Sequence, residues 1–150
     1  MMERAVEHNV ARYLRAHATA TPDATALMVP KKPWRMDRLE WTRATFSELD
    51  QQSDAIADML ERSGVQRGER AVILVPPSLE LYASIFALFK LGVVPVMLDP
   101  GMGPRALLSC IERTAPTILL ADPRVHALST VVRRPFSTVR LRVTAGRRWF

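Results

Sequence analysis

Three apolar runs constrain this chain more than any other feature. RAVILVP (70–76), VVPVMLD (93–99) and PTILLAD (116–122) carry hydrophobic residues without polar alternation. A strand with one wet face alternates, whereas a strand covered on both faces does not. The segments between them, SLELYASIFALFKLG (78–92) and GPRALLSCIERT (103–114), have helix length and helix stops, with Gly92 ending the first and Pro104 fitting the first turn of the second. Buried strands separated by helices predict an α/β fold with a parallel βαβαβ core.

Ahead of this core the periodicity changes. NVARYLRAHAT (9–19) sets Val10, Tyr13, Leu14 and His17 on one helical face. ATALMV (24–29) and LEWTRATF (39–46) read as two strands of a hairpin, joined through a polar loop over 31–38. Thr45-Phe46-Ser47-Glu48 has the T-x-x-E form of a capping box. The helix it opens places Leu49, Ile56, Met59 and Leu60 on one face and stops at Gly64. Met28, Met59 and Met97 sit in apolar segments and are expected in the core.

One motif suggests chemistry. Gly101, Gly103 and Ala106 spell G-x-G-x-x-A after a strand and before a helix, and Asp122 follows Gly101 by 21 residues. A dinucleotide site uses such glycines to bring backbone amides to a pyrophosphate and a later acid to hold a ribose. Three residues oppose that reading. Pro104 removes an amide at the helix start, Asp99 sets a carboxylate where phosphates would lie, and Pro100 separates strand from first glycine. The competing reading is a tight strand-to-helix turn.

Other chemistry is thin. There is no G-x-x-x-x-G-K-[ST], H-E-x-x-H, C-x-x-C or G-x-S-x-G. His8, His17 and His126 lack ligand spacing, and Cys110 reads as a packed helix thiol beside Leu107 and Ile111. Trp34, Trp41 and Trp149 are not interleaved with basic residues as a nucleic-acid stacking platform would require. Glu48 is expected to serve as a cap and Asp99 as a turn acid. No residue is assigned a catalytic, cofactor-binding or metal-binding role.

Charge is divided along the chain. The net charge is +6, yet all fifteen acids lie at or before Asp122, and the last 27 residues hold seven arginines and no acid. A single cysteine and an N-terminus without an apolar block fit a cytoplasmic protein. The apolar stretch 79–98 is broken by Glu80, Lys90, Gly92 and Pro95, which argues against a membrane span. The basic end admits binding to nucleic acid or acidic lipid. It equally admits a strand, carried by Val139, Leu141 and Val143, that needs a neighbour. Residues 1–123 are expected to form the folded body, and 124–150 a basic, incompletely packed segment.

The order of the pieces resembles the adenylate-forming (AMP-binding) superfamily of acyl-CoA synthetases, fatty-acyl-AMP ligases and peptide-synthetase adenylation domains. TFSEL (45–49) is similar to its first core motif, LFKLGVVPVMLDP (88–100) to its second, and NVARYLRAHATATPDATALMV (9–29) to its opening helix and strand. LDPGMG and RVTAGRRWF look most like the branch of long-chain fatty acid ligases and olefin-pathway β-lactone synthetases. The resemblance spans about residues 9–130. It implies the N-terminal sheet subdomain of the ligase fold, with a parallel βαβαβ core, an N-terminal helix and a β-hairpin. It implies a parent reaction in which a fatty or β-hydroxy acid and ATP, with magnesium, give acyl-AMP, then a CoA thioester or β-lactone. In that family the second motif is a structural strand and turn, and ATP is held by a later loop of the type SGTTGxPK and a later lysine. Neither motif occurs in these 150 residues. The resemblance therefore implies no cofactor for this chain alone, inactivity alone, and a partner in the remainder of the ligase.

Overall fold

The computed structural model describes residues 9–31 and 40–145. The expected loop at 31–38 is described only at Lys31, and His8, Trp34 and Trp149 lie outside the described residues. The chain forms two compact units, one from residues up to Val65 plus Pro76–Gly92, the other from Gln66–Val75 plus the residues from Val93 onward.

The first unit holds α1 (Ala11–Ala20), β1 (Thr25–Pro30), β2 (Trp41–Thr45), α2 (Phe46–Arg62) and α3 (Leu79–Leu91). The hairpin read from the sequence is present, with β1 and β2 antiparallel and Val29 opposite Thr42. The capping box is also present. The Glu48 amide donates to Thr45 Oγ1 at 3.2 Å, and the Thr45 amide donates to Glu48 Oε2 at 2.8 Å. These bonds hold the exposed Glu48 carboxyl below its ordinary range, through the Thr45 backbone bond first. Leu49, Ser53, Ala57 and Leu60 form the buried stripe of α2, and Gly64 leaves the helix at φ +75°. Leu14, Leu49 and Ala83 join α1, α2 and α3 in one core, packed by Leu27, Phe46, Ile56 and Phe86.

One expectation fails here, and the face read for α1 is only partly buried. α1 buries Ala11 and Leu14, while Val10 and Tyr13 stay about half exposed and His17 is exposed, with its ring stacked on Phe46. The Arg12 guanidinium donates to the exposed Tyr13 hydroxyl at 2.8 Å. Met28, Met59 and Met97 are 58%, 41% and 60% exposed rather than core.

The second unit is built on a four-stranded, all-parallel sheet of β3 (Arg70–Leu74), β4 (Val94–Met97), β5 (Ile118–Ala121) and β6 (Leu141–Thr144), in the order β4-β3-β5-β6. Val72 aligns with both Val96 and Leu119. The three expected strands are thus adjacent, but the expected burial on both faces fails for β4, which stands at the end of the sheet order with Val94 and Met97 48% and 60% exposed. β5 is fully buried along its length, as its unbroken apolar run requires. α4 (Pro104–Thr114) packs Ile111 against Val72 and Leu119. Removing a side chain of that size from water is worth about 1.5–3 kcal/mol.

The expectation of an incompletely packed segment after residue 123 is corrected for residues 124–145. α5 (Pro123–Val131) is capped by Asp122, whose Oδ1 accepts the Arg124 and Val125 amides. Phe136 and Val139 belong to the core with Val72 and Leu119. β6 pairs in parallel register with β5, Leu120 opposite Val143. Its alternation was legible, but its neighbour lies 23 residues back in sequence. Nor are the arginines bare. Arg134 meets Glu112 at 2.8 Å and Arg140 meets Glu69 at 2.7 Å.

Candidate functional site

The glycine turn lies at the C-terminal end of β4, beside a point where the sheet order reverses: β4 and β5 flank β3 on opposite sides. Ligands of open α/β sheets collect at such points, so the turn has the right address for a binding loop. Its hydrogen bonds say otherwise. Residues Pro100–Met102 form one 3-10 turn, and Asp99 Oδ1 accepts the Gly101 amide at 2.8 Å. A carboxylate of the chain already sits where a phosphate oxygen would. A side chain at Gly101 would meet that carboxylate at 3.1 Å, so this glycine serves the Asp99 turn. Gly103 stands at φ +85° just before Pro104, the first residue of α4. Pro104 donates nothing, and the Leu107 amide bonds back to the Gly103 carbonyl. Asp122, the acid at ribose distance in the motif, is spent on capping α5. The turn reading stands, with Asp99 as its turn acid.

The remaining candidates are also accounted for locally. Cys110 is half-buried rather than packed in the core. The exposed His17 stacks on Phe46. His126 Nε2 lies 3.1 Å from the Val143 carbonyl and ties α5 to β6. Among the described residues no three His, Cys, Asp or Glu gather to hold a metal ion, and no helix is long and apolar enough to cross a membrane.

Two polar clusters escaped the sequence reading. In the first unit, Lys90 near the end of α3 donates to Asp50 Oδ1 at 2.6 Å, Asp54 Oδ1 at 2.7 Å and Ser53 Oγ at 2.7 Å, all on α2. Arg15 of α1 closes the same carboxylates from outside, 2.6 Å from Asp54 and 3.6 Å from Asp50. Asp50, Asp54, Lys90 and Arg15 balance in charge, which is what a half-buried network needs to persist. In the second unit, Arg140 forks onto Glu69, its Nε and Nη2 at 3.0 and 2.8 Å from Oε1 and Nη2 at 2.7 Å from Oε2. Burial pushes the Glu69 carboxyl up. The Arg140 hydrogen bonds, the Gln66 amide and the guanidinium charge outweigh it and hold the carboxyl below its ordinary range. Both clusters join elements that are 35 or more residues apart. No local spacing announces them, and their chemistry is structural, because every carboxylate faces a cation.

What the geometry provides is thus a strand-to-helix turn that serves the fold, on a parallel sheet. Residues 14–145 match the family described as AMP-binding enzymes. Over 142 residues the chain is 39% identical to the olefin beta-lactone synthetase of Stenotrophomonas maltophilia (strain K279a), a match covering 93% of this chain and 26% of that protein. The olefin beta-lactone synthetase of Xanthomonas campestris pv. campestris is 35% identical over 140 residues, covering 93% and 25%. Among solved structures, the fatty acyl CoA synthetase of Mycobacterium tuberculosis superposes with a TM-score of 0.75 at 21% identity, covering 91% of this chain and 26% of that one. The latter likeness concerns the fold. The chain spans about a quarter of the length of the curated relatives it matches. It belongs to the AMP-binding enzyme family and corresponds to the N-terminal part of an adenylate-forming ligase.

Proposed function

We propose that this chain supplies the N-terminal sheet scaffold of an ATP-dependent acid ligase of the olefin β-lactone synthetase type. The complete enzyme would join a fatty or β-hydroxy acid to AMP, releasing pyrophosphate, before closure to a β-lactone or transfer to CoA. The observation that carries this reading is the 39% identity to an olefin beta-lactone synthetase along nearly the whole chain. Residues 1–123 would provide the subdomain body and 124–150 its basic C-terminal segment, in the cytoplasm, with the remainder of the ligase as partner.

ATP and magnesium belong to the complete enzyme. The described residues do not fit them: they offer no metal-ligating cluster, and the glycine turn spends its Gly101 amide on Asp99. No catalytic step is assigned to any residue of this chain. The test is pyrophosphate exchange by the isolated chain with a panel of fatty and β-hydroxy acids and magnesium-ATP. Exchange at the level of a buffer control is expected. Turnover well above that level would overturn the scaffold reading.

A further inference from the structure

Outside the clusters described above, the second unit carries a groove of about 720 Å³ between the end of α5, the 3-10 turn Arg134–Phe136 and β6. Ser129, Thr130, Arg133, Arg134, Ser137 and Arg142 are its polar lining. Among the described residues no Asp or Glu lines it. Glu112, at its margin, is already matched by Arg134.

The three arginines are oriented by the protein through one nitrogen each. Arg133 Nε donates to the Thr130 carbonyl at 3.2 Å, Arg134 Nε to Glu112 Oε1 at 2.8 Å, and Arg142 Nε to Ser129 Oγ at 3.5 Å. Among the described residues their Nη groups meet no protein acceptor. Arg133 and Arg142 thus keep paired Nη donors and a charge with no acid in the lining, the arrangement that suits phosphate oxygens, while Arg134 keeps Nη donors beside its ion pair with Glu112.

We propose that this groove binds a compact soluble phosphate-bearing anion, held chiefly by the Nη donors of Arg133 and Arg142, with Arg134 and the Ser137 hydroxyl at its side. A nucleic-acid strand is disfavoured: among the described residues the one aromatic in the lining, Phe136, is 3% exposed and presents no face for a base. A lipid surface would use Leu128 and Val131, exposed on α5 at 48% and 80%, and is tested as the competing outcome. The groove's own residues carry the proposal, which does not rest on the ligase reading.

The test is titration calorimetry of the whole 150-residue chain with inorganic tripolyphosphate, alongside co-sedimentation with phosphatidylglycerol vesicles. Saturable binding is expected, weakening as salt rises. Arg133→Gln with Arg142→Gln should weaken it at least about tenfold. Arg133→Lys with Arg142→Lys keeps the charge but loses the forks, and should weaken it about threefold or more. Arg62→Gln, an exposed charge on α2, should leave it unchanged. The lysine pair decides the matter if the glutamine pair fails to fold by circular dichroism. Absence of saturable binding, equal loss in Arg62→Gln, wild-type affinity in the lysine pair, or retention on vesicles without tripolyphosphate binding would each overturn the proposal.

Discussion

The glycine turn and the Lys90 cluster make opposite impressions. The turn has a recognisable motif, a position at a sheet reversal and a later acid at the expected spacing, yet its donors are consumed within the chain. The Lys90 cluster has no motif at all, yet it gathers two carboxylates, a lysine, an arginine and a serine within hydrogen-bond reach. A motif records which residues are available. Only the partners of each donor and acceptor decide whether a site is open, and here both regions are closed: one by a single carboxylate, the other by a balanced network.

The comparison predicts that the closed, structural regions carry stability rather than activity. The largest effect belongs to the segment misread as loose. Phe136→Ala removes a core aromatic that is 3% exposed, and should cost about 3–5 kcal/mol in urea unfolding. A loss under about 0.5 kcal/mol, the size expected at an ordinary surface position, would return residues 124–145 to the loose reading. Next, Lys90→Met leaves Asp50, with a side chain only 13% exposed, facing just the more distant Arg15. A cost of about 3 kcal/mol is expected, since breaking a buried pair strands a charge. A neutral result would show that the network is ornamental.

A smaller, pH-dependent effect is expected at Glu69. Its folded-state carboxyl is held below the ordinary range, so its contribution is fully present above the unfolded value of about 4.3 and is lost as pH falls through the folded value. Arg140→Gln should reduce stability at neutral pH and flatten this acid-range slope in unfolding curves. An unchanged slope would mean that Arg140 does not govern Glu69. The smallest effect is expected at the glycine turn. Asp99→Asn, which keeps an oxygen for the Gly101 amide, should cost less than about 1 kcal/mol and create no NAD site, because Pro104 still lacks its amide. Micromolar NAD binding by that variant would show that the turn is a dinucleotide site closed only by Asp99.

Much of the fold was legible. Unbroken apolar runs announce β3 and β5, where burial on both faces leaves no room for polar residues, whereas the equally apolar run of β4 lies at the sheet edge and leaves Val94 and Met97 exposed. Thr45 and Glu48 announce a helix start because capping is local. What was hidden is set at long range. The contacts of Arg15 and Lys90 with α2 cross 35 to 40 residues, and β6 finds β5 only after α5 and a turn intervene. Methionine hides its side of an element, being apolar enough for a core and flexible enough for a surface, so Met28, Met59 and Met97 could not be assigned by composition. The site was legible chiefly in the negative: Pro104 and Asp99 already argued against a phosphate at the turn.

The central claim is that this chain gives a ligase its scaffold and none of its reacting groups. It is tested most directly by exchanging the matched N-terminal quarter of the Stenotrophomonas olefin beta-lactone synthetase for this chain and measuring acid-dependent pyrophosphate exchange. A folded chimera that adenylates the host enzyme's acid substrate, while the isolated chain does not, is the predicted result. A folded chimera without exchange, or exchange by the isolated chain, would contradict it.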